Sequence, residues 1–260
     1  MNDKHKEAFK DDNFLESKEG RSVRILSEYE RINSTLESHH IMNTLTFFGS
    51  ARFLSKEEAE KKLSEAKENN SNIKNAEMDL ENSAYYEQAR SLAFKFTKWV
   101  QEQSTNVNRF VVATGAGPGI MEAANRGAHE AKGKTIGFGI KLPMEQNNNK
   151  YITTELSFKF YYFFMRKFFL TYMAKATFIF PGGIGTIDEL CEIWTLKQTE
   201  RLQKPMPIVL VGRSYWQKLI NFNFLVEKKV IDKEDLDHIL MTDDIDEAFI
   251  FVTSILNKNI

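Results

Sequence analysis

The chain has 260 residues, 42% hydrophobic and 27% charged, which suits a globular protein with a sizeable apolar core. Its formal net charge of −1 supplies no global attraction to nucleic acid or anionic membrane, so neither is expected as a partner. A single cysteine, Cys191, excludes an internal disulfide and points to a reducing compartment.

The amino-terminal stretch MNDKHKEAFKDDNFLE lacks an apolar signal core, and no run approaches the ~20 apolar residues of a membrane span. A cytoplasmic location is therefore expected. Residues 1–20 are polar and charged and read as flexible. Val23, Ile25, Leu26, Tyr29, Ile32 and Leu36 follow with helical spacing, which predicts a leading helix packed on the main domain or on a partner subunit. Residues 1–40 thus form an extension and 41–260 one domain. Residues 55–82 are rich in Glu, Lys and Asn and read as a solvated helix followed by an exposed connection.

From Leu45 onward short apolar runs alternate with longer helical patterns. Strands are expected at Leu45–Phe48, Phe110–Ala113, Thr135–Phe138, Ala176–Phe180 and Pro207–Val211. Helices are expected at Tyr85–Gln101, Gly119–Lys132, Phe160–Ala174, Gly185–Thr199, Tyr215–Lys228 and Asp244–Leu256. Apolar strands separated by helices make a parallel sheet covered on both faces, an α/β Rossmann-like doubly wound fold.

Glycines follow the strand ends, where open α/β sheets bind ligands. Leu45–Phe48 runs into Gly49-Ser50-Ala51-Arg52, and Phe110–Ala113 into Thr114-Gly115-Ala116-Gly117-Pro118-Gly119. Ala176–Phe180 runs into Pro181-Gly182-Gly183-Ile184-Gly185-Thr186. Glycines 182, 183 and 185 allow close backbone approach, the following helix start favours an anion, and Thr186 adds a hydroxyl donor. A phosphate monoester suits that loop. The loop at 114–119 is neither a dinucleotide fingerprint, which needs glycine where Ile120 stands, nor a Walker loop. Gly49, Ser50, Gly115, Gly117 and Gly119 with Gly182, Gly183, Gly185 and Thr186 could grip one mononucleotide.

Charged residues near these loops carry the candidate chemistry. Asp188 and Glu189 open the helix after the loop at 181–186, and Glu189 is the better placed to face the cleft. Arg166 and Lys167 interrupt an apolar helix, FYYFFMRKFFLTYM, where a charge is costly to bury unpaired; one of them should meet an acid or a phosphate. Glu122 and Glu145 could contact ribose hydroxyls, and Met165 could wall a base pocket. Asn125 and Arg126 read as surface or interface residues, and Cys191 as a buried helix residue. The five histidines, at 5, 39, 40, 129 and 238, show no ligand spacing, so no metal site is expected.

The segment Pro181–Glu189, with Arg166-Lys167 upstream and GAGPGIMEAANRGAHEAKGKTIGFGIKLPMEQNNNKYI before both, resembles the LOG family, named after the plant LONELY GUY enzymes. The family pattern PGGxGTxxE is matched in full. The longer bacterial branch is the nearer likeness, covering roughly residues 43–230, with an amino-terminal extension and an insertion near 57–83 outside the shorter pattern. The resemblance implies a dimer or larger homo-oligomer, no cofactor, and hydrolysis of a nucleoside 5′-monophosphate (AMP or N6-modified AMP) to free base and ribose 5-phosphate. It implies that Gly182–Thr186 hold the phosphate, that Arg166 and Glu189 carry catalysis, and that Glu145 and Thr195 contact substrate. The alternative is a non-catalytic module that binds a nucleotide or a phosphorylated cofactor of the molybdopterin type.

Overall fold

The computed structural model describes residues 6–103, 110–141 and 147–257. Seven strands form one parallel sheet: β1 (Asn43–Phe48), β2 (Phe110–Thr114), β3 (Thr135–Ile140), β4 (Ser157–Phe160), β5 (Ala174–Ile179), β6 (Ile208–Val211) and β7 (Ile239–Thr242). Their spatial order is β4-β3-β2-β1-β5-β6-β7. The chain runs outward from β1 to β2, β3 and β4, then crosses back to set β5 against the other side of β1. The carboxyl ends of β1 and β5 therefore flank the topological switch point, where open sheets form their binding crevice.

Ten α-helices accompany these strands among the described residues: α1 (Asp12–Glu16), α2 (Arg21–Ser38), α3 (Lys56–Glu68), α4 (Ile73–Gln103), α5 (Ile120–Glu130), α6 (Phe163–Tyr172), α7 (Ile184–Gln198), α8 (Arg213–Leu219), α9 (Phe222–Glu227) and α10 (Ile245–Asn257). Alternation along the strands divides the core in two. Val111, Phe138 and Leu210 point to one face and meet Leu36 of α2, Phe169 of α6, Leu190 of α7 and Trp216 of α8. Phe47, Val112 and Phe178 point to the other and meet Phe96 of α4, Ala124 of α5 and Val252 of α10. Each fully buried Phe contributes roughly 2–3 kcal/mol of transfer free energy. Small residues bring α4 and α5 together: a Cβ on Gly127 would lie 2.0 Å from the Arg90 carbonyl oxygen.

Several elements differ from the expectation. Residues 8–10 form a 3-10 turn and 12–16 a helix, capped by the Asp11 carboxylate, where a flexible lead-in is expected. Arg24 holds that segment by donating to the Leu15 and Ser17 carbonyl oxygens. The connection expected before Tyr85 is helical from Ile73, so only residues 69–72 separate α3 from α4. The start of the α3 helix is fixed by Ser55 and Glu58, which cap each other's backbone N–H groups. Strands β4 and β7 are additional, at the two edges of the sheet. The helix expected over 160–174 loses both ends to β4 and β5, and the one over 215–228 breaks before Asn221, whose side chain caps α9.

Cys191 is exposed, not buried. Leu190 and Ile193 take the sheet-facing side of α7, and a position one residue from Leu190 is turned by ~100°. One flank of α6 faces the core through Met165, Phe169 and Leu170, while Phe163, Phe164, Phe168 and Tyr172 are exposed.

Candidate functional site

The loop after β1 is held at the switch point by backbone bonds on both sides. Ser50 N–H donates to the Pro181 carbonyl at 2.9 Å, and the Ser50 carbonyl accepts from Ile120 N–H at 3.0 Å. The ends of β1 and β5 and the start of α5 are thereby stitched into one wall. A cleft of about 640 Å³ opens against it, lined by Gly49, Ser50, Arg52, Gly115, Phe163, Arg166, Gly183, Gly185, Thr186, Asp188 and Glu189 among others.

On the β5 side the cleft ends at the start of α7. Gly183 is the N-cap, and its carbonyl accepts from Thr186 and Ile187 at 3.0 and 3.1 Å. The N–H groups ahead of these lie outside the intrahelical ladder, at the positive end of the helix dipole. Cβ atoms added at Gly183 or Gly185 would meet nothing within 4 Å, so this backbone is open to a ligand. Gly182 lies behind, where a Cβ would come within 2.2 Å of Thr186 Oγ1. The Tyr215 hydroxyl donates to the Gly182 carbonyl at 2.5 Å and pins the loop from α8.

The opposite wall carries Arg166 of α6. Its Nε donates to the Phe138 carbonyl at 2.8 Å, and Nη2 reaches the Gly115 carbonyl at 3.5 Å. Burial pulls its pKa below the usual guanidinium range, and the neighbouring Glu189 carboxylate opposes that shift. Glu189, one turn into α7, is only 6% exposed, and its Oε2 has no hydrogen-bond partner among the described residues. Burial pushes its pKa up to about 7, against the pull of Lys167 and Arg166. Lys167 itself is spent elsewhere: its ammonium pairs with Asp188 at 2.8 Å and Glu192 at 2.7 Å. Burial disfavours that ammonium, and the two hydrogen bonds outweigh it, raising the pKa to about 12.

The loop after β2 is packed shut. A Cβ on Gly115 would sit 2.1 Å from Arg166 Nη2, and one on Gly117 would sit 2.7 Å from Met121 Cε. Gly119 has φ +69° and a Cβ there would lie 2.2 Å from the Ser50 carbonyl. Ala116 holds φ +68°, a costly conformation for a residue with a side chain. It is clamped by its own N–H to Thr114 Oγ1 at 3.0 Å and by its carbonyl, which accepts from Asn149 N–H at 2.9 Å.

Behind this clamp stands Asn125, expected at the surface but fully buried. It accepts from Thr114 Oγ1 at 2.7 Å and Asn149 Nδ2 at 2.9 Å, and donates to Thr135 Oγ1 at 2.6 Å. A buried amide is tolerated because both ends are satisfied. Its flanking residues Ala123, Ala124, Gly127 and Ala128 are small and buried, and that run was the available signal of a close-packed position.

Of the candidate residues, Gly49, Ser50, Gly115, Arg166, Gly183, Gly185, Thr186 and Glu189 line one cleft. The other described candidates stand elsewhere. Glu122 accepts from the Tyr86 hydroxyl at 3.0 Å between α4 and α5. Met165 is 8% exposed and packs in the core under α6, because its side of that helix faces the sheet, so it does not wall the cleft. Thr195 is exposed, more than a turn beyond Glu189 on α7. Glu145 lies outside the described residues. Among the described residues no group of His, Cys, Asp or Glu could hold a metal ion, and no helix is long and apolar enough to cross a membrane.

Among solved structures, one shares this architecture. The X-ray structure of TM1055 aligns with a TM-score of 0.50 at 19% identity, over 82% of this chain and 100% of that one. The molybdenum cofactor binding protein of the phototrophic bacterium Rippkaea orientalis aligns at 15% identity and a TM-score of 0.45, over 83% and 97%. The Moco carrier protein of Chlamydomonas reinhardtii aligns at 16% and 0.48, over 83% and 98%. No curated protein sequence matches the chain. The family profile described as "Possible lysine decarboxylase" matches residues 121–251, just over half of the 260 residues and all of α6 and α7. The chain therefore belongs to that family, the LOG family to which its PGGxGTxxE segment bears its likeness.

Proposed function

We propose that this cleft hydrolyses the N-glycosidic bond of a nucleoside 5′-monophosphate, AMP or an N6-modified AMP, releasing free base and ribose 5-phosphate. The observation that carries the reading is Glu189, a buried carboxyl with one unpartnered oxygen, beside Arg166 and one helical turn from an open glycine cradle.

The chemistry follows from that placement. The C1′–N bond breaks with its electron pair going to the base, and the sugar acquires oxocarbenium character. The Glu189 carboxylate can stabilise that charge or accept a proton from the attacking water. The water oxygen bonds to C1′, and the base takes up one proton. Arg166, fixed by the Phe138 carbonyl, supplies a rigid donor to the departing base. Phosphate held at the start of α7 would fix the sugar for attack.

Purified protein incubated with AMP, GMP, CMP and isopentenyl-AMP tests the reading, with chromatography of base and ribose 5-phosphate as readout. Turnover of at least one is expected, and Glu189→Gln should lower kcat by roughly 10³-fold while leaving nucleotide binding largely intact. Tight binding with no product from any substrate would assign the cleft instead to a non-catalytic carrier of a nucleotide or phosphorylated cofactor.

A further inference from the structure

We propose that Arg52, to which the motif reading gives no role, is the cation that takes the phosphate charge of the ligand in this cleft. The inference deepens the preceding reading and rests on it for the ligand's class, a phosphate monoester.

The cleft and its margin hold three cationic side chains and three carboxylates. Arg166 is buried against Glu189, and its guanidinium is tied to the Phe138 and Gly115 carbonyls. Lys167 is paired with Asp188 and Glu192. Arg52 lines the same cleft, and no ion pair among the described residues involves it. Among the described residues its guanidinium is the one cation at the site tied to no carboxylate or carbonyl of the protein. A phosphate monoester carries close to two negative charges at neutral pH, and a helix start supplies only about half a unit of positive charge. The open backbone at Gly183 and Gly185 thus needs one further cation.

Position agrees with charge. Arg52 stands two residues after Ser50, whose backbone bonds to Pro181 after β5 and to Ile120 at the start of α5, and its own N–H donates to Ser50 Oγ at 3.1 Å. The backbone is fixed while the side chain stays exposed in the cleft that Gly183, Gly185 and Thr186 also line. A guanidinium there can hold two phosphate oxygens in a fork and leave the remaining oxygen to the helix N–H groups and Thr186.

Calorimetry on wild type, Arg52→Ala and Arg52→Lys with ribose 5-phosphate, AMP and adenosine separates the outcomes. Arg52→Ala should weaken ribose 5-phosphate and AMP by roughly 10- to 100-fold, leave adenosine unchanged, and flatten the salt dependence of AMP binding. Arg52→Lys should recover part of the loss. In turnover the effect should fall on KM, with kcat within about threefold. Unchanged ribose 5-phosphate binding in Arg52→Ala overturns the assignment, as does an equal loss for adenosine, which would place Arg52 at the base. Failure of the hydrolase reading looks different: wild type binds AMP without product while Arg52→Ala still loses phosphate affinity.

Discussion

The loop after β5 and the loop after β2 each end a central strand, start a helix and carry three glycines, yet those glycines meet different surroundings. At Gly183 and Gly185 a side chain would meet open space, and the backbone there faces the cleft. At Gly115, Gly117 and Gly119 a side chain would strike Arg166, Met121 or the Ser50 carbonyl within 2.1 to 2.7 Å. The first loop uses Gly183 and Gly185 to let a ligand approach, while Gly182 is packed against Thr186. The second uses glycine so that the protein can approach itself, setting Gly115 against Arg166 and Gly119 against the loop after β1. Identical residue types therefore divide into a cradle and a keystone, and substitutions should tell the two apart.

The largest effect is expected at Gly119. An alanine there must hold φ +69°, with ψ −131°, and place its methyl 2.2 Å from a backbone carbonyl that is itself bonded to Ile120. Neither the strain nor the clash can relax without moving the loop after β1 and the start of α5 bonded to it. Gly119→Ala should cost roughly 3 kcal/mol or more in urea unfolding. A loss below about 1 kcal/mol would show that the second loop is not a keystone.

Next in size is the cost of burying Glu189 in the cradle's helix. Its carboxyl rises from an ordinary 4.5 to about 7 on folding, with burial as the main cause. The native state then holds its proton more tightly than the unfolded chain. Any stability tied to that proton is complete below pH 4.5 and is lost as pH rises through about 7. Glu189→Gln does not titrate, so it should gain on wild type between pH 4.5 and 8 by roughly 3 kcal/mol at most. Equal stability curves across that range would mean that the carboxyl is solvated or paired, and the cradle would lose its distinctive acid.

These contrasts also show what the sequence makes legible. The interior strands β1, β2, β3, β5 and β6 are visible because strands buried on both faces read as apolar runs. The edges are not: β4 is only SFKF, alternately exposed and buried, and its phenylalanines merge with the aromatic run of α6. Strand β7 is four residues, three of them only half-buried. At the site, the open loop, Arg166 and Glu189 are local signals, a glycine motif and charges set in apolar helices. Asn149 and Tyr215 are invisible because their partners lie elsewhere: Asn149 reaches Gly117 across 32 positions, and Tyr215 reaches Gly182 across 33. Motif spacing likewise cannot say which glycine loop is open, since that depends on what another strand end places above it.

The smallest expected change in stability is the sharpest check on the comparison. Gly185 is the second residue of α7, with nothing within 4 Å of an added Cβ. Alanine in a helix is favoured over glycine by about 0.5–1 kcal/mol, so Gly185→Ala should melt at or slightly above wild type. The same methyl would stand in the cleft where the backbone is open, and ribose 5-phosphate affinity should fall by roughly tenfold or more. Stability and binding then move in opposite directions at Gly185, whereas at Gly119 they fall together. If Gly185→Ala binds ribose 5-phosphate as tightly as wild type, the open backbone is not where phosphate sits. The anion would then have to be held by side chains alone, with Arg52 the first to test.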